Sequence, residues 1–288
     1  MTPQDLVQEV GSLFTLPDAA VRLMERIDDP EVTTQALTEV IQTDSGLAAA
    51  VLRMANSAYY GLPAKVGNVA MAINLIGHRA LRSLVLSVSV TRAFKGLPAD
   101  LVDMQAFWEN STVCGAIART LARECRLAQA DDLFLAGLLH ACGRLIFFAR
   151  RPVHYREILK PGLTPQQLAA EERRVFGFDY AAMGAALLTA WRLPPMLVTA
   201  IAHQLNPHRA TAFLQEVAIL HIAQDMAAAT ASQLKTPQAD GEYIPGFEPA
   251  ALSTLTLDAA SLPQVRQTAL LEAMEILEIV NPRATLIY

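Results

Sequence analysis

Residues 134–145 read FLAGLLHACGRL, from Phe134 through His140, Ala141, Cys142, Gly143 and Arg144 to Leu145. A run this apolar predicts a buried helix that delivers a histidine in its middle and is followed at once by a small residue and Gly-Arg-Leu. The wider apolar stretch, Phe134 to Ala149, is interrupted by His140 and Arg144 and reads as too short to span a bilayer comfortably. The expectation is therefore a packed helical core.

The flanking sequence carries helical punctuation and almost no strand signal. Thr2-Pro3 matches an N-cap followed by proline at the first helical position, and Thr164-Pro165-Gln166-Gln167 repeats the device with Gln at the capping-box position. That second helix should stop near Gly177. Asp44, Asn68, Asp103, Asp179 and Ser261 each precede residues with apolar spacing of three and four, as in the stripe Val69, Ile73 and Ile76 closed by Gly77. Leu84 to Val90 alternates Val and Ser like a strand, but its place after HRALRS favours continued helix. The last helix, about Leu262 to Val280, should pack on the body through Val265, Ala269, Leu270, Met274, Leu277 and Val280. Lys95-Gly96-Leu97-Pro98 marks a boundary, and Lys235 to Pro249, with its prolines and glycines, is the clearest loop. These breaks divide the chain into lobes at 1–98 and 99–232, with a loop and helix at 233–288.

Composition narrows the function classes. With 288 residues, 52% hydrophobic and 18% charged, the chain has ample apolar surface to offset the entropy of ordering, so disorder is excluded as its main state. A net charge of −5 and the lack of a long Lys/Arg run disfavour nucleic-acid binding. The opening MTPQDLVQEV shows no signal peptide, and Cys114, Cys125 and Cys142 form no CxxC pair, so reduced core cysteines in the cytoplasm are expected. No GxSxG elbow and no Gly-rich phosphate loop is present, and no base is positioned by spacing beside a cysteine.

The segment around His140 resembles the HD superfamily of metal-dependent phosphohydrolases, whose pattern there is LLHDIGKL; Ala141 stands where that pattern has its aspartate. WENSTVCGAIARTLA, from Trp108, resembles the family's WxHSxxVAxxA helix with Asn110 in place of the metal-binding histidine. FGFDYAAMGAALLTAWRLP, from Phe176, is similar to FGxDHxxxGxxLxxxWxLP, with Tyr180 where metal-binding members often carry histidine. In AIAHQLNP, His203 matches the first histidine of a His-His pair and Gln204 replaces the second. ILHIAQDMA places Gln224 at the final aspartate, with Asp225 one position off. Roughly four to six ligands are needed for a divalent site, carboxylates among them for hard cations, and two imidazoles with neutral amides should not hold a catalytic metal tightly.

The N-terminal part is more specific still. LPDAAVRLMERIDDP, VIQTDSGLAAAVLRMANSAYYG and VAMAINLIGHRALRSLVL resemble the HDOD domain, the HD-related output domain of bacterial signalling proteins, and the likeness runs from about Leu13 to Met226. The resemblance implies an all-α, two-lobed helical bundle with a degenerate HD-like C-terminal lobe, an incomplete metal set and a place in signalling architectures. It implies no catalytic residue, no cofactor and no bound metal, with signalling proteins as partners or a small ligand in the former active-site cleft.

Individual residues carry a structural and a functional reading side by side. His140, His203 and His221 read as hydrogen-bonded core histidines, against a role as remnant ligands; His78, His154 and His208 read as surface or packing residues. Asn56, Ser57, Tyr59 and Tyr60 read as a structural corner with Gly61 at positive φ and the tyrosines at the lobe interface, against a recognition surface. Arg79 and Arg82, with Lys65 and Arg53, read as a solvated face against an anion site, and Glu272, Glu275 and Glu278 as a solvated acidic face. The rival functions are a divergent phosphohydrolase that rebuilds a site from His140, His203, His221 and Asp225, and a nucleotide-sensing pseudoenzyme.

Overall fold

Caps and apolar spacings become helices in the computed structural model, which describes residues 1–11, 14–57, 60–63, 65–94, 97–160, 162–235 and 246–280. Tyr59 and most of the segment from Lys235 to Pro249 lie outside the described residues. Among the described residues no strand occurs.

The helices are α1 (Pro3–Val10), α2 (Asp18–Ile27), α3 (Thr34–Gln42), α4 (Ser45–Ala55), α5 (Val69–Ala93), α6 (Met104–Glu124), α7 (Ala130–Leu139), α8 (Cys142–Arg150), α9 (Pro152–Ile158), α10 (Pro165–Phe176), α11 (Tyr180–Ala190), α12 (Pro195–His203), α13 (Leu214–Lys235), α14 (Pro249–Leu255) and α15 (Leu262–Val280). They sort into two compact units, one from Met1–Ser12 with Gly96–Leu270 and the other from Leu13–Lys95 with Leu271–Tyr288.

In the unit containing α2 to α5, Asp44 and Asn68 cap as their positions predict, accepting hydrogen bonds from Leu47 N at 2.9 Å and Met71 N at 2.8 Å. Gly77 breaks α5 with φ 80°, a conformation L side chains rarely adopt, but the chain resumes as helix beyond it. The Val/Ser alternation that follows is buried all round, and the helix absorbs its serines: Ser87 Oγ donates to Ser83 O at 2.7 Å. At the end of α4, Asn56 donates to Leu52 O and Val66 O and accepts from Val66 N, while Ser57 donates to Met54 O. Both side chains therefore hold the corner, and Gly61 has φ 57°. Arg82 pairs with Asp28 at 2.8 Å, and Arg53 and Lys65 are exposed.

In the other unit, Thr2 and Asp5 form a capping box, as do Thr164 and Gln167, and Gly177 ends α10 in the left-handed region. Asp103 caps α6 and Asp179 caps α11. Helices α6 and α7 pack closely, and a Cβ added to Gly137 would lie 2.5 Å from the Gly115 Cα. The helical stretch Ala130–Arg150, which contains the apolar run from Phe134 to Ala149, meets the length and hydropathy of a membrane span, as does Val69–Ala93. In Ala130–Arg150, 89% of the apolar window is buried inside the protein, and the helix turns at His140–Ala141.

Two expectations are corrected. On α15 the buried stripe is Leu262, Val265, Ala269, Ala273, Ile276 and Ile279, while Met274 is 72% exposed, because the steps of four from Val265 lead to Ala273 rather than Met274. Ser261 immediately precedes α15, as its position predicts, and is itself the last residue of a short 3-10 turn capped by Asp258. Cys125 is half-buried at the end of α6, whereas Cys114 and Cys142 are core residues whose thiols burial pushes up, Cys142 to about 12.

Helix propensity favours alanine over glycine by about 1 kcal/mol at an interior position. At Gly137 the clash with the α6 backbone should reverse that sign: Gly137→Ala should lower the urea midpoint by the equivalent of about 1–3 kcal/mol with an unchanged m value. A more stable variant would mean that α6 and α7 are not in close contact.

Candidate functional site

The histidine read first in the sequence sits where α7 ends. His140 is 4% exposed, and its Nδ1 lies 2.7 Å from the Gly137 carbonyl, one of the carbonyls a helix end leaves unpaired. Gln204, fully buried just past the end of α12, donates from Nε2 to the His140 carbonyl at 2.8 Å. Its own carbonyl oxygen accepts two hydrogen bonds from α13, from His221 Nδ1 and from Gln224 Nε2, both at 2.7 Å. Gln224 in turn accepts from the Tyr180 hydroxyl at 3.2 Å. His221 also accepts at Nε2 from the Glu248 N–H at 2.9 Å, so the ring donates at Nδ1 and accepts at Nε2. Asp225, one turn along, accepts from Gly246 N at 2.9 Å.

A second cluster adjoins the first through Tyr180. The α8–α11 contact is close because Gly143 has no Cβ to meet the Tyr180 carbonyl. Arg144, the next residue, lies with its guanidinium 4.1 Å from the Tyr180 ring centroid. Behind it Glu172, fully buried, accepts from the Tyr155 hydroxyl and, at 2.7 Å, from Tyr180 N. Burial pushes the Glu172 carboxyl up to about 7 against the pull of Arg144 and these donors. Burial pulls His140 down to about 4, opposed by its Gly137 bond and assisted by Arg144. For Arg144 burial alone would lower the pKa, but the Tyr180, Tyr155 and Glu172 oxygens outweigh it and hold the guanidinium above its ordinary value.

Beside these clusters is a cavity of about 470 Å³ whose polar lining includes Asn110 on α6 and Arg144 on α8. Asn110 Oδ1 and Arg144 Nε are buried and have no hydrogen-bond partner.

The structure thus gathers His140, Tyr180, Gln204 and Gln224 into one buried network and sets Asn110 on the cavity wall. Ala141 is buried beside His140 and offers no polar side-chain atom. His203 is half-exposed at the end of α12, which corrects its reading as a core histidine: the neighbouring Gln204 is the residue turned inward. His208 is exposed and 3.3 Å from Glu248, and His154 meets the edge of Phe176. Among the described residues, no three His, Cys, Asp or Glu side chains form a group that could hold a metal ion. Glu172 was not singled out from the sequence, although Leu168, Ala169 and Glu172 share one helical face, a spacing that places a carboxylate on the buried stripe.

Comparisons with known proteins fit this architecture. The HDOD domain profile matches residues 13–207. An uncharacterized protein of Treponema pallidum (strain Nichols) is 25% identical over 208 residues, which is 70% of this chain and 40% of that protein, so the chain spans two fifths of the length of this curated relative. A protein from Shewanella amazonensis SB2B, provisionally named a phosphohydrolase, has a crystal structure with TM-score 0.74 and 26% identity, covering 96% of this chain and 97% of its own. The HDOD domain protein of unknown function from Geobacter sulfurreducens shares the fold at TM-score 0.63 and 21% identity, covering 99% of this chain and 98% of its own. The profile match, spanning more than half of the sequence, and the shared helical architecture establish that this chain belongs to the HDOD domain family.

Proposed function

We propose that the chain is a signal-transduction module of the bacterial cytoplasm that binds a protein or a small ligand without turnover, its HD-type metal site having been lost. The observation that carries this reading is the buried network of His140, Gln204, His221, Gln224 and Tyr180, in which groups at or beside the HD-pattern positions are hydrogen-bonded to one another. Hard divalent cations need carboxylate oxygens, and catalytic zinc needs several strong donors with an open position. Asn110, Tyr180, Gln204 and Gln224 provide neutral amides and a phenol, which leaves His140 as a single imidazole donor among the pattern positions of the buried network. These residues do not fit a catalytic metal. The competing phosphohydrolase reading draws on the provisional name of the Shewanella relative.

Metal analysis of protein purified without chelator, with phosphatase and phosphodiesterase assays in Mn²⁺ or Mg²⁺, separates the two. Substoichiometric metal and rates equal to buffer are expected; stoichiometric metal with an activity abolished by His140→Ala would overturn the proposal.

A network that serves folding has a further signature in its titration. His140, neutral in the folded chain down to about pH 4, contributes stability above its unfolded pKa near 6.5 that is lost as pH falls toward 4. Glu172 does the reverse: raised to about 7, it contributes stability below the unfolded glutamate pKa that is lost as pH rises through 7. Between pH 5 and 6.5 the two slopes oppose each other. Glu172→Gln should leave the His140 slope exposed, with Tm falling by about 5 °C on acidification across that window, and His140→Asn should make Tm fall as pH rises. Unchanged slopes in both variants would show that neither group titrates as its burial requires.

A further inference from the structure

We propose that the cavity beside Arg144 binds a small molecule with an apolar body and one anionic oxygen group, a carboxylate or a phosphate, whose charge is met by the Arg144 guanidinium. This rests on the reading of the chain as a binding module and assigns the chemistry of its ligand.

The volume of about 470 Å³ falls within the range of small-molecule sites, and the walls are largely apolar, including Val113, Leu163, Leu168 and Ala227. Against them stand two buried polar atoms without hydrogen-bond partners, the donor Arg144 Nε and the acceptor Asn110 Oδ1. The Arg144 and Asn110 side chains line the cavity and are only partly exposed, so a ligand oxygen at the guanidinium would form a charge-assisted hydrogen bond in a partly desolvated setting. Arg144 is also held in place before any ligand arrives. Its guanidinium rests on the Tyr180 ring, and that ring is fixed by the hydroxyl bond to Gln224 and the backbone bond to Glu172. A cation already ordered loses little freedom on binding.

A single cationic side chain among the described lining residues limits how much negative charge the cavity can meet. Among the described residues the charged side chains lining the cavity are Arg144 and Glu109, the latter accepting from Gln105 Nε2 at 2.9 Å, and Glu172 balances part of the guanidinium charge from behind. One guanidinium facing one carboxylate accommodates a single negative group better than a polyphosphate.

Calorimetric titration of the full chain with octanoate, octyl phosphate and uncharged octan-1-ol, each below its aggregation threshold, tests the proposal. Saturable binding of one molecule per chain is expected for at least one of the anions, about tenfold or more tighter than octan-1-ol, and the tighter anion identifies the head group. Arg144→Met should remove the preference for the anion while leaving octan-1-ol unchanged, and Arg144→Lys should retain part of it. Ala106→Trp, which fills the cavity from α6, should abolish binding of all three probes and guards against misfolding of the Arg144 variants. Equal affinity for octan-1-ol, an anion preference that survives Arg144→Met, or binding unaffected by Ala106→Trp would overturn the site and leave the non-catalytic reading intact. Release of inorganic phosphate from octyl phosphate would instead overturn the non-catalytic reading.

Discussion

The carbonyl oxygen of Gln204 accepts hydrogen bonds from His221 and Gln224, and the arrangement of four helices follows from that shared acceptor. It lies just past α12, where a helix leaves carbonyls without internal partners. Both donors come from α13, one turn apart, so α13 can lie against the end of α12 in only one register. Through Gln204 Nε2 the same residue reaches the end of α7, and through Gln224 the network reaches Tyr180 on α11. A residue at this junction must offer a donor for the His140 carbonyl while its own carbonyl faces α13. A glutamine side chain meets that demand without introducing a charge into a fully buried position.

The same constraint explains why the neighbouring charges are grouped as they are. Glu172 and Arg144 are both withdrawn from water, and an isolated charge there would cost several kcal/mol. Tyr155 and the Tyr180 backbone satisfy the two Glu172 oxygens, and the Tyr180 ring supports the guanidinium. Tyr180 therefore serves three partners at once through its hydroxyl, its ring and its backbone N–H. Histidine at that position could not present the same ring face to Arg144 and the same reach to Gln224.

Much of the fold was legible because helix caps are local. Thr2, Asp44, Asn68, Asp103, Thr164 and Asp179 bond to backbone two or three residues away, so their roles follow from short-range geometry. The all-α class and the segments that approach one another around His140 were readable for the same reason and from the order of the quoted motifs. What was not legible depended on distant chain. Glu172 lies in a strongly polar stretch, EERR, and only its distance from Leu168 marks it as inward-facing; its partners Tyr155 and Tyr180 are 17 residues before it and 8 after it. Met274 was placed inside because it continues an apolar spacing, but small Ala273 is the residue that fits the packed face.

Charge scarcity at the centre of this unit has a physical consequence beyond the absence of ligands. In a metallohydrolase the cation neutralises clustered carboxylates, and carboxylates there are stable only while it is bound. Here the pattern positions carry amide, phenol and methyl groups, and the nearby carboxylate, Glu172, has its pKa raised and two donors supplied by the protein itself. Such a centre holds its shape without a cation, because both buried Glu172 oxygens are already hydrogen-bonded by the protein. Of the buried polar atoms without hydrogen-bond partners here, Arg144 Nε and Asn110 Oδ1 belong to side chains that line the cavity, and Gln204 Oε1 belongs to the packed network. Polar pairing is thus incomplete at two places in this cluster, at the Gln204 junction where helices meet and at the pocket that remains.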